Sequence, residues 1–214
     1  NSKNINNSNW YLHFCLWISI FFQEKIIFFP DKFHKTYQFQ FGNNAKEVNF
    51  KAKDEKLING ILFQVEKPKG LIFYLHGNAG SLEFLGNVAK VYNELDYDVF
   101  ILDYRGFGKS EGKIYSQEQL FLDNQIIYDQ LKTKYNEKNI IVLGYSIGTG
   151  LAAKLASENN PKFLILQAPY YNLTDMMKQK FSFIPTFILK YKFETNDYLK
   201  SCKMPVIIFH GDQD

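Results

Sequence analysis

Apolar and polar positions along this chain fall into short blocks whose period changes from one block to the next. Val48–Ala52 and Leu57–Val65 flank the polar tetrapeptide Lys53-Asp54-Glu55-Lys56, a pattern that predicts a β-hairpin. Leu71–Leu75, Val99–Leu102, Ile140–Leu143, Phe163–Gln167 and Val206–Phe209 are apolar almost throughout, as strands covered on both faces are. Between them the period becomes helical. Leu82, Leu85, Val88, Ala89, Tyr92 and Leu95 form one stripe over Ser81–Leu95. Ser116-Gln117-Glu118-Gln119 has capping-box spacing and opens a helix to about Tyr135, and Ile147, Leu151 and Leu155 mark a further helix. Strands alternating with helices predict an α/β fold: a mainly parallel, doubly wound sheet with the leading hairpin antiparallel at one edge. Such sheets place their sites at the carboxyl ends of the strands. The loops at His76, Asp103, Ser146 and His210 all follow strands.

Two stretches break the alternation. Residues 1–9 are polar and Asn-rich, which predicts disorder, and Trp10–Phe22 is a continuous aromatic and apolar run followed by Gln23-Glu24-Lys25, Ile26–Phe29 and Pro30. As a helix that run spans about 20 Å, short of the roughly 30 Å hydrocarbon core. It has no small-residue cleavage site of the signal-peptide kind. Residues 1–30 are read as a membrane anchor or linker, with an uncleaved interfacial helix or a segment packed on the domain as alternatives. Residues 31–214 form the domain that follows. Within it, 170–203 is rich in apolar groups and interrupted by Pro185. It reads as a crossover packed on the sheet, as a short cap over an acyl-binding groove, or as both.

Composition adds limits. A chain of 214 residues, 46% apolar, can bury a sizeable core without disulfide or metal. The net charge of +3 comes from scattered lysines, with no basic stripe to support nucleic-acid binding. Cys15 and Cys202 have neither Cys-x-x-Cys spacing nor a His cluster beside them, and no metal or cofactor is expected. The first residue is Asn, and Asp214 follows a strand-like run with no tail behind it, so the chain is expected to be a fragment lacking a C-terminal strand and helix.

The chemistry centres on Gly144-Tyr145-Ser146-Ile147-Gly148, a G-x-S-x-G pentapeptide between an apolar run and a small-residue helix. On a strand-turn-helix elbow the neighbours two residues from the serine must be small, and Gly144 and Gly148 are. The helix opening at Ile147 directs unpaired N–H groups at the place where an oxyanion forms in acyl transfer. Ser146 is therefore the candidate nucleophile. Gly108-Lys109-Ser110-Glu111-Gly112 matches the same pattern, but no strand runs directly into it and its composition is that of a loop. That loop also imitates a P-loop, with Asp103 where a glycine is required, and the aspartate charge is expected to repel phosphate. Asp103 and Arg105 read as a loop-bracing pair.

In order along the chain stand His76-Gly77-Asn78-Ala79-Gly80, Asp103-Tyr104-Arg105-Gly106-Phe107-Gly108-Lys109-Ser110-Glu111-Gly112, the Ser146 pentapeptide, Gln167-Ala168-Pro169 and His210-Gly211-Asp212-Gln213-Asp214. With these blocks the chain resembles the α/β-hydrolases, most nearly the membrane-anchored, single-domain serine hydrolases of the BEM46-like group. The resemblance implies an α/β-hydrolase fold with Ser146 as nucleophile, the backbone N–H groups of Asn78 and Ile147 as oxyanion hole, and Asp214 as triad acid. Asp212 competes for that last role, and the family pattern selects the fifth residue of its block. His76, Gly77, Gly144, Tyr145, Gly148, His210 and Gly211 support these groups. The implied reaction is hydrolysis of a small acylated substrate, an ester or thioester, through an acyl-serine. An amidase or peptidase, or a non-catalytic binding module of the same fold, are the alternatives. The triad also needs a histidine base, and none of His13, His34, His76 and His210 stands where the family places it, so the fragment by itself is expected to be inactive. Oligomeric state and the side of the membrane are left open.

Overall fold

The computed structural model describes residues 23–180 and 185–212. A short helix α1 (Gln23–Ile27) leads into β1 (Phe29–Pro30), and the hairpin β2 (Ala45–Lys51) and β3 (Leu57–Phe63) follows. Then come β4 (Leu71–Leu75), β5 (Ala79–Gly80), α2 (Gly86–Asn93), β6 (Asp98–Leu102), α3 (Gln117–Lys132), β7 (Ile140–Tyr145), α4 (Gly148–Ser157), β8 (Phe163–Gln167), α5 (Leu173–Lys180), α6 (Thr195–Leu199) and β9 (Val206–Phe209). Seven strands form one sheet in the order β2-β3-β6-β4-β7-β8-β9. β2 and β3 run antiparallel to each other, β3 runs antiparallel to β6, and every later pairing is parallel.

The unbroken apolar strands follow from this arrangement. Leu71, Phe73 and Leu75 of β4 point into one core with α3 and α4, through Leu120, Ile127, Leu151 and Leu155. Ile72 and Tyr74 alternate to the other face, against Ala89 of α2. With both faces covered, neither parity of side chain can be polar. At the last strand of the described sheet, β9, Val206, Ile207, Ile208 and Phe209 are all exposed. Among the described residues no helix is long and apolar enough to cross a membrane. Trp10–Phe22, where an anchor was expected, lies outside the described residues.

Local signals hold with some shifts. Ser116 caps α3, its Oγ accepting from Gln119 N–H at 3.1 Å, and Gln119 Oε1 in turn accepts from Tyr115 N–H at 3.2 Å. The helix expected over Ser81–Leu95 is split into a 3-10 turn, Leu82–Phe84, and α2. Leu82 N–H donates to Asp103 Oδ1 at 3.0 Å, which fixes the first turn to the loop after β6. Gly86 then lies so close to the Phe41 ring that a Cβ would come within 2.7 Å of it. Leu173, Met177, Leu189, Tyr191 and Phe193, from the stretch around Pro185, are buried in the larger core.

Candidate active site

Ser146 sits between the end of β7 and the start of α4 with φ of 50°, in the left-handed region that a serine occupies only when its surroundings over-determine it. The flanking glycines show what compresses the turn. A Cβ on Gly144 would meet Gly148 O at 2.5 Å and Ala152 Cβ at 2.8 Å, and one on Gly148 would meet Leu75 O at 2.2 Å. The serine peptide is tied down on both sides: its N–H donates to Gln167 O at 2.9 Å, while its carbonyl accepts from Thr149 N–H at 2.9 Å and Thr149 Oγ1 at 2.6 Å. Ile147 N–H has no acceptor among the described residues, as expected for the first turn of a helix.

β4 lies beside β7, with Leu75 opposite Gly144, so the loop after β4 reaches the serine. A Cβ on Gly77 would fall 3.3 Å from the Tyr145 ring and 3.8 Å from Ser146 Cβ. His76 is 1% exposed, stacked on Tyr104 with centroids 4.2 Å apart. Its Nδ1 lies 2.7 Å from Gly77 O. A carbonyl only accepts, so Nδ1 carries the proton, and Nε2 is buried with no partner among the described residues. Burial pushes its pKa down to about 4. His76 is a neutral ring that grips the Gly77 carbonyl. The N–H of that same peptide belongs to Asn78, points to the opposite side of the trans unit, and has no described acceptor.

The loop after β6 departs from expectation. Asp103 and Arg105 do not pair with each other. Arg105 binds Asp54 through Nη1 at 2.7 Å and Nη2 at 2.8 Å, and Asp123 through Nε at 2.5 Å and Nη2 at 2.9 Å. Asp103 is fully buried, and burial raises its carboxyl pKa to about 8, so it holds its proton near neutrality. The charge expected there to repel phosphate is thus absent near neutrality, and two amides of the loop have protein acceptors, Gly108 N–H in Asp31 O at 2.7 Å and Ser110 N–H in Phe107 O at 2.9 Å. Ser110 is itself buried, its Oγ donating to Asp103 O at 2.6 Å and accepting from Asn59 N–H at 2.8 Å. The second G-x-S-x-G is a loop brace.

His210, Gly211 and Asp212 follow β9 and are exposed, on the far side of β8 from the elbow strand. Asp214 lies outside the described residues. His34 is exposed and bonded to Thr36 Oγ1 at 2.8 Å. The reading of the sequence missed Tyr170, whose part-buried hydroxyl donates to Ile147 O at 3.2 Å and lies where a Cβ on Gly150 would come within 2.3 Å of it. Nothing in the local pattern marks this tyrosine. The neighbouring Gln167-Ala168-Pro169 block, where Ala168 has φ of 49°, is the nearest signal.

A mainly parallel sheet that carries a serine on a strained strand-to-helix turn, beside a histidine-glycine loop from the neighbouring strand, is the architecture of an α/β-hydrolase. The chain belongs to the α/β-hydrolase family described as "Serine aminopeptidase, S33", whose profile matches residues 66–200. It is 28% identical to protein bem46 of Schizosaccharomyces pombe over 82% of this chain and 62% of that protein. It is 30% identical to the lysophosphatidylserine lipase ABHD12 of Danio rerio over 71% of this chain and 44% of that one. The chain thus spans about half the length of the curated relatives it matches. Among solved structures it resembles an α/β-hydrolase of Vibrio vulnificus, with TM-score 0.66 and 21% identity over 78% of this chain and 63% of that one. An esterase of Pyrococcus furiosus aligns with TM-score 0.63 and 22% identity over 85% and 75% of the two chains.

Proposed function

We propose that this chain carries the nucleophile, oxyanion hole and acid of a serine hydrolase that cleaves acyl esters or thioesters through an acyl-serine. One observation carries the reading: Ser146 on its positive-φ turn is followed by the Ile147 N–H and lies against Gly77, whose successor Asn78 offers a second backbone N–H, and neither N–H has an acceptor among the described residues. In this reading Ser146 Oγ attacks the acyl carbonyl carbon and the carbonyl oxygen takes up negative charge facing those two amides. The tetrahedral adduct collapses with loss of the alcohol or thiol, and water then releases the acid from the acyl-serine by the same route. A histidine takes the serine proton and passes it to the leaving group, with Asp214 orienting its Nδ1–H. His76 does not suit that role, being buried, weakly basic and committed to Gly77 O; His34 has its Nδ1 bonded to Thr36 Oγ1. We place the base in sequence outside these 214 residues. The 214-residue chain alone is then expected to hydrolyse no ester above its own Ser146→Ala control.

The lipase among the relatives supports a lipid-like acyl ester as the first substrate class to try, and we place membrane contact in Trp10–Phe22. The family description also names an aminopeptidase, and amide cleavage uses the same machinery. The discriminating experiment labels the protein, expressed from its complete reading frame, with a fluorophosphonate. The label should appear on wild type and Ser110→Ala and vanish on Ser146→Ala, with kcat toward p-nitrophenyl esters falling by about 10⁴–10⁶ in the last. Labelling that persists without Ser146 overturns the assignment, and faster turnover of aminoacyl nitroanilides than of esters moves it to the amidase reading.

A further inference from the structure

Resting on the serine-hydrolase reading above, we propose that Gln23–Asp31 is a positioning strap that aims the Asn78 oxyanion donor and ties it to the segment Ile188–Tyr191. β1 pairs in parallel with β5, with Phe29 opposite Ala79 and Pro30 opposite Gly80. Through this pairing Phe29 N–H donates to Asn78 O at 2.8 Å and Asp31 N–H donates to Gly80 O at 3.0 Å. The Asn78 side chain returns the contact, its Nδ2 donating to Ile27 O at 3.0 Å.

The consequence concerns one N–H. The peptide that bears it has its carbonyl held from the protein interior by His76 Nδ1–H, and the following carbonyl is held from outside by Phe29 N–H. With both flanking carbonyls gripped, φ and ψ of Asn78 have little freedom, and its N–H keeps one direction. A donor that needs no reorganisation when charge develops is what oxyanion stabilisation requires. Without the strap, the hydrogen bond from His76 Nδ1–H is the one left to the loop 77–80 among the described residues.

The strap is fixed at its other end as firmly. The buried Gln23 carboxamide makes a pair of hydrogen bonds with backbone, Nε2 donating to Ile188 O at 2.8 Å and Oε1 accepting from Lys190 N–H at 2.8 Å. Glu24 accepts from Tyr191 OH at 2.9 Å. Phe28 packs edge-on against Tyr191 and Phe107, with centroids 5.5 and 6.4 Å away. The residues that lead out of the expected anchor therefore hold loop 77–80 and the segment Ile188–Tyr191 in one register.

The test uses the protein from its complete reading frame and three variants. Phe29→Pro deletes the N–H on Asn78 O, Phe29→Ala keeps that N–H and removes only the ring, and Asn78→Ala keeps the oxyanion N–H but removes the bond to Ile27 O. Loss of a whole oxyanion donor costs about 10²–10³ in kcat. Misaiming should cost part of that: about 10–100-fold for Phe29→Pro and about 3–10-fold for Asn78→Ala, with KM within about twofold. The inhibition constant of a trifluoromethyl ketone, whose adduct carries the oxyanion, should rise in step with the loss of kcat/KM, and Phe29→Ala should stay near wild type. The proposal is overturned if Phe29→Pro and Asn78→Ala both keep wild-type kcat, or if their losses fall on KM with ketone affinity unchanged. Should Phe29→Pro fail to fold, Asn78→Ala decides alone by the same split. A wild type that neither hydrolyses ester nor labels at Ser146 overturns the serine-hydrolase reading and the strap with it. An active wild type with indifferent variants overturns the strap only.

Discussion

The Asp103 carboxyl and the His76 ring, both buried beside the candidate site, are titratable groups whose charged forms the fold penalises, and their effects on stability have opposite sign. Asp103 binds its proton up to about pH 8 when folded but releases it near 4 when unfolded, so the folded state holds the extra proton and stability falls as pH rises through that interval. His76 is depressed to about 4, so the unfolded chain binds the extra proton between there and about 6.5, and stability falls as pH drops through that interval. The two slopes oppose each other below about pH 6.5, and above it only Asp103 contributes. Urea unfolding of wild type should therefore lose about 1–2 kcal/mol between pH 6.5 and 8, and Asp103→Asn, which keeps the acceptor for Leu82 N–H, should flatten that interval. An unchanged slope in the variant would show that Asp103 is already ionised in the folded state.

Arg105 works at the scale of elements. From the loop after β6 it reaches Asp54 in the turn of the β2–β3 hairpin and Asp123 on α3, so one guanidinium joins three segments distant in sequence. Arg105 and Asp123 are each 4% exposed, whereas the Asp54 side chain is 42% exposed. Removing the cation thus leaves one carboxylate buried and uncompensated, and one that water can rescue. Arg105→Met should cost about 3–5 kcal/mol in denaturant unfolding, while the double variant Arg105→Met/Asp123→Leu should recover most of it, because an ion pair replaced whole by apolar groups is often near neutral. The Asp54 carboxyl, held down to about 2 by the guanidinium, should return toward 3.8 in Arg105→Met, read by NMR titration.

The molecule as a whole has its strap threaded across the carboxyl-end loops of its sheet. Ile27 and Phe28 are 6% and 4% exposed and belong to the larger core, although they lie only a few residues beyond the apolar run expected to enter a membrane. Where a truncation is made should therefore decide its outcome. A protein that starts at Gln23 should keep wild-type stability and leave the membrane fraction. One that starts at Lys32 should lose about 3–5 kcal/mol from the two buried side chains alone, seen as an earlier urea midpoint. Equal midpoints for the two would show that residues 23–31 contribute nothing to the core.

Strand-helix alternation, the hairpin, the capping box at Ser116 and the elbow at Ser146 were all legible in the sequence, because each rests on neighbours within a few residues: a period, a cap, a pair of glycines. The placement of His76, Asp103, Ser146 and His210 at one end of the sheet was legible too, since parallel strands leave no other end for the loops that follow them. What Asp103 and Arg105 bind was not, because their partners Leu82, Asp54 and Asp123 come from other elements, and burial, which turns the Asp103 charge into a proton, is a property of packing. The broken helix at Leu85 and the hydroxyl of Tyr170 on the elbow belong to the same class. So does the strap: a polar Gln23-Glu24 step after an apolar run reads as a boundary, and only tertiary structure shows each side chain bound to backbone or hydroxyl near Ile188–Tyr191. Local pattern determined which elements form and where the candidate serine stands; contacts such as that of Asn78 with Ile27, 51 residues away, decided what holds the loop beside it, since those energies exist only once the chain has closed.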